Sequence, residues 1–83
     1  MATLNKAVFD VANNITGNVL KRLDVSNSET EKNFWLAKSN YEMDAVLASI
    51  KSDSLAFVDT KCAHLIARSQ IESAGYKFPL AKA

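Results

Sequence analysis

Chain breakers are scarce in this sequence, and that constrains its fold more than any other feature. Gly17, Gly75 and Pro79 are the only glycines and proline among 83 residues. An all-β chain needs a turn signal roughly every 8–12 residues. The long stretches left between these breakers carry a helical period instead. The spacing predicts an all-α fold, a three-helix bundle or helical hairpin-type assembly. Its helices should span about 3–24, 29–50 and 54–74, followed by an extended tail over 76–83. At this length the whole chain, 1–83, is a single domain.

In the first segment Leu4, Val8, Val11, Ala12, Ile15, Val19 and Leu23 share one face of a helical wheel, widened by Phe9 and Leu20. Lys6, Asp10, Asn13, Asn14, Gly17 and Lys21 fill the opposite face. Thr3 is placed to cap this helix. Gly17 costs about 1 kcal/mol relative to alanine in a helix interior. That cost suggests a kink there, or the close approach of another backbone.

A second helix is announced by Ser28-Glu29-Thr30-Glu31, a capping-box pattern with acidic residues at the positive end of the helix dipole. Its main stripe is Trp35, Leu36, Met43, Val46, Leu47 and Ile50. Phe34, Ala37, Tyr41, Ala45 and Ala48 form a second apolar strip about half a turn away. Lys38 and Glu42 separate the strips on one side, and Asn33, Asn40 and Asp44 on the other.

Leu36, Met43, Ile50, Phe57, His64 and Ile71 keep a seven-residue spacing that would suit one continuous rod. Several positions between them are polar (Ser39 or Asn40, Asp53 or Ser54, and Lys61), unlike a coiled-coil seam, and Ser52, Asp53 and Ser54 are good caps. A break near 51–54 is therefore expected.

In the third helix Leu55, Val58, Cys62, Leu65 and Ile66 read as the main stripe. Ala56, Ala63, Ala67 and Ile71, with Phe57 and His64, form a second strip. Gly75 marks the stop, with Ile71 and Tyr76 spaced for the hydrophobic contact of a Schellman motif. Pro79 keeps Phe78 extended, which sets Tyr76, Phe78 and Leu80 on one side of the tail.

Little in the sequence points to catalysis, and no catalytic residue, cofactor or metal ligand is assigned. Cys62 is the only cysteine and His64 the only histidine; two apart on a helix, they project about 200° from each other. The lone glycines make no phosphate loop. The carboxylates sit at helix starts or on polar faces. Asn14-Ile15-Thr16 matches a glycosylation acceptor by chance, since no secretion signal accompanies it.

The formal net charge is +1, with residues 1–24 summing to +1, 29–53 to −2 and 54–83 to +2. No block carries the basic excess that grips a phosphate backbone. Nucleic-acid binding is thus the weaker alternative, and it would use Lys61, Arg68, Lys77 and Lys82. The longest apolar runs, such as Phe34–Ala37 and Leu55–Val58, are four residues, against the about 20 a membrane span needs. With one thiol and no apolar leader, a cytoplasmic location is the expectation.

What remains is surface. Two helices each carry two apolar strips, and one shared core covers about one strip per helix. The expectation is a non-enzymatic protein–protein interaction module. It is either a homo-oligomeric subunit of a larger assembly or a small inhibitor or adaptor that docks a helical face on another protein. Small helical chains of this kind are common among bacteriophage and bacterial accessory proteins, virion components included. The candidate interface residues are Phe34, Ala37, Tyr41, Ala45 and Ala48, together with Tyr76, Phe78 and Leu80 of the tail.

Overall fold

The computed structural model describes residues 6–78. Over that range three α-helices follow one another: α1 (Lys6–Asp24), α2 (Glu29–Ala48) and α3 (Leu55–Ser73). No strand occurs among the described residues. Thr3, Leu4, Pro79, Leu80 and Lys82 lie outside them. The fold is all-α, as the spacing predicts, with α2 ending two residues short of the expected 50 and α3 spanning 55–73 rather than 54–74.

The helix ends are set by local chemistry. Ser28 is extended (φ −148°, ψ 161°), and its Oγ accepts the Glu31 backbone N–H at 3.1 Å. That satisfies one of the free donors of the first turn. At the other end of α2 the Ser49 hydroxyl donates back to the Val46 carbonyl at 2.6 Å and closes the last turn. Ser54, again extended, opens α3 by accepting the Phe57 N–H at 3.1 Å. The break that separates α2 from α3 therefore lies between two serine caps.

Gly75 ends α3 with φ at 103°, a left-handed value that an L side chain resists. Its N–H donates to the Glu72 carbonyl at 3.0 Å, and the Tyr76 N–H donates to that of Ile71 at 3.4 Å. These are the two bonds of a Schellman motif. Tyr76 packs on the same apolar cluster as Ile71, which supplies the accompanying contact.

The core has two parts. Val8 and Ala12 of α1 meet Ala63 and Ala67 of α3, while Val19 and Leu23 meet Ile71, Leu36, Met43 and Phe78. Residue numbers rise together along this contact, so α1 and α3 run parallel and α2 returns between them in sequence. Polar bonds reinforce the pairing. The Thr16 hydroxyl donates to Gln70 Oε1 at 2.6 Å, and Gln70 Nε2 donates to Asn13 Oδ1 at 3.1 Å. Arg68 ties α3 to α2, donating from Nε to Asn40 Oδ1 at 2.7 Å and from Nη2 to Asp44 Oδ1 at 3.0 Å.

The structure corrects the reading of α3. Its expected main stripe faces outward, with Leu55 81%, Val58 52% and Leu65 56% exposed and Cys62 and Ile66 half-buried. The alanine strip faces inward: Ala63, Ala67 and Ile71 are at most 1% exposed. The small side chains explain this. Ala12, Ala63 and Ala67 have no bulk to hold α1 and α3 apart, so the two helices approach closely and gain dispersion contacts along their length.

Gly17 plays no part in that approach. Alpha1 runs through it as one helix, and a Cβ built there meets nothing within 4 Å. The seven-residue series likewise marks no single rod. Leu36 and Met43 of α2 and His64 and Ile71 of α3 are its buried members, and they face the same interior from two separate helices.

Candidate interaction surfaces

On α2, Leu36, Ser39 and Met43 point inward. Phe34, Ala37, Tyr41, Ala45 and Ala48 fall about half a turn away, and all five are exposed, Phe34 at 57% and Tyr41 at 74%. They form a continuous apolar row over almost the full length of the helix. Phe34 is braced: its ring lies edge-on to Trp35, with centroids 5.2 Å apart and planes at 76°. Trp35 is in turn held by the Arg22 guanidinium at 4.9 Å and the Lys38 ammonium at 5.3 Å from its ring centre. An aromatic fixed in this way loses little freedom on meeting a partner.

The row is flanked by charges already engaged within the chain. Glu42 lies 4.0 Å from Arg22, and Asp44 is held by Arg68. The exposed pair adds little stability in water, but such charges give the row a polar rim.

A second row runs down the outer side of α3, with Leu55, Val58 and Leu65 exposed and Cys62 half-buried against the core. Sequence reasoning named these residues but placed them in the core. Their 3-4-3 spacing suits a helix–helix seam, and spacing alone does not distinguish an internal seam from an external one.

The tail residues separate. Tyr76 is half-buried, and Phe78 is only 8% exposed within the cluster formed by Leu23, Leu36 and Ile71. Phe78 thus belongs to the buried cluster of this chain. Leu80 lies outside the described residues.

The residues considered for chemistry are dispersed. Cys62 is half-buried, and His64, on another side of α3, is 4% exposed with no partner for Nδ1. Burial holds the His64 pKa below its usual 6.5; Arg68 pushes it the same way, and Asp44 opposes. No group of three or more His, Cys, Asp or Glu side chains gathers among the described residues.

Of the four cations considered for nucleic acid, Arg68 is bonded to Asn40 and Asp44. Lys61 and Lys77 are exposed, and Lys82 lies outside the described residues. No helix in the described range is long and apolar enough to cross a membrane. Comparison with protein-family models, curated proteins and solved structures finds no match.

Proposed function

We propose that this chain is a non-enzymatic association module that joins another polypeptide through the outer row of α2, and that a second copy is its first partner. One observation supports the reading above the rest: Phe34, Tyr41, Leu55 and Leu65 stand in solvent while three of the ten buried apolar residues among those described are alanines. Scattered exposed apolar residues are ordinary on a monomer. Contiguous rows on two helices are not, and such surface commonly marks a docking site. Self-association is favoured because a net charge of +1 sets up little repulsion between copies. The same row would serve an inhibitor or adaptor that caps a helical face of a different protein.

Tyr41→Asp tests the proposal. Tyr41 is 74% exposed, so the substitution should leave the thermal melt of the dilute protein unchanged. Light scattering coupled to size exclusion should show the parent chain heavier than one copy and the variant reduced to a single copy. A variant of unchanged mass would remove α2 from the interface.

A further inference from the structure

Past Met43, no residue of α2 is buried. Val46 is 51% exposed, and Val11 facing it from α1 is 47% exposed. Between the three helices lies a groove of about 410 Å³. Val11, Ile15, Met43 and Val46 supply its apolar walls, and Ser39 and His64 its floor.

The floor is unusual for a core built largely of alanine and aliphatic residues. Ser39 is 5% and His64 4% exposed, and the His64 Nδ1 is buried with no hydrogen-bond partner. A buried polar group without a partner is costly, and native structures hold few of them. His64 of α3 carries one such atom, and Ser39 of α2 lines the same apolar groove. The groove falls within the roughly 300–1,000 Å³ typical of small-molecule sites, which combine apolar walls with a few converging polar groups.

We propose that this groove binds a small neutral molecule that is mostly hydrocarbon and carries a hydroxyl. The hydroxyl would exchange hydrogen bonds with the imidazole of His64 and the Ser39 side chain, and the hydrocarbon would cover Val11, Ile15 and Val46. Neutrality follows from the rim. Arg22 and Glu42 both line the groove and lie 4.0 Å apart, so the two charges cancel and favour neither an anion nor a cation. The site is separate from the outer row of α2, and the proposal does not depend on association.

The test uses the full chain with 2-naphthol, and 2-methylnaphthalene as the same shape without the hydroxyl. Naphthol should bind saturably at one site and shift the ring signals of His64 in carbon–proton NMR spectra. The methyl analogue should bind about fivefold more weakly, the effect of one hydrogen bond. Val46→Trp, at a half-exposed wall, should fill the groove and abolish binding in a folded protein, whereas Tyr41→Asp should bind naphthol like the parent. The proposal is overturned if the folded parent shows no saturable shift, if the two probes bind alike, or if Val46→Trp binds unchanged. The last result would place the probe on an outer row.

Discussion

Replacing Ala67 with leucine probes the inverted packing of α3 directly. Ala67 is 0% exposed and packs with Val8, Ala12 and Ala63 in the α1–α3 contact. Three added carbons find no space there, and overpacking of this kind costs about 1–3 kcal/mol. A chain of 83 residues has roughly 4–12 kcal/mol of total stability, so the loss is large. At about 4–8 °C per kcal/mol, a cost near 2 kcal/mol lowers Tm by about 8–16 °C. The matched control is Leu65→Ser. Leu65 is 56% exposed, and its loss should shift stability by about 0.5 kcal/mol or less. Both are read from far-ultraviolet circular dichroism melts at low micromolar concentration, where association adds little to stability by mass action. If Leu65→Ser costs more than Ala67→Leu, the leucine stripe is the core. Alpha3 would then be turned by roughly half a revolution, and the argument from exposed rows would fail.

Three further outcomes follow from particular sites. Gly17→Ala should stabilise the protein by about 1 kcal/mol in a urea melt, because the helix is continuous there and the added methyl meets open space; a loss would mean the glycine is needed for a contact. Gly75→Ala should destabilise it by about 1 kcal/mol, because φ there is 103° and the Schellman turn depends on it; an unchanged melt would dissociate that turn from stability. His64 gives the pH dependence. Its folded pKa lies below 6.5, so between the two values the unfolded chain holds a proton that the folded chain does not, and stability rises with pH. The contribution is complete above the unfolded value and is lost as pH falls through 6.5 toward the folded one. The urea midpoint should therefore drop between about pH 8 and pH 5, and less so in His64→Gln. Equal slopes in the two proteins would assign the effect elsewhere.

The helices and their ends were largely legible because they depend on neighbours in sequence. Ser28, Ser54 and Gly75 act through bonds to residues three to five positions away, and pattern alone finds them. The orientation of α3 was not legible. Its two strips are both apolar, and the choice between them depends on how closely α1 can approach, which is a property of Ala12 as much as of Ala63 and Ala67. The same limit affected Phe78 and Arg68. For Phe78 the pattern left two places open, against its own bundle or on a neighbouring chain, and Arg68 was read as a surface charge; each is taken up by a long-range contact, Phe78 in the cluster with Leu36 and Arg68 with Asp44. The outer strip of α2 was readable because polar residues flank it on both sides. The groove beside His64 was not readable, since its lining comes from all three helices.

Sedimentation equilibrium of the unmodified chain tests the central claim most directly. If the rows of α2 and α3 are meant for another polypeptide and a second copy fits, the weight-average mass should climb with concentration above the 9.1 kDa of one chain. A mass that stays at one chain over the whole accessible concentration range would contradict self-association.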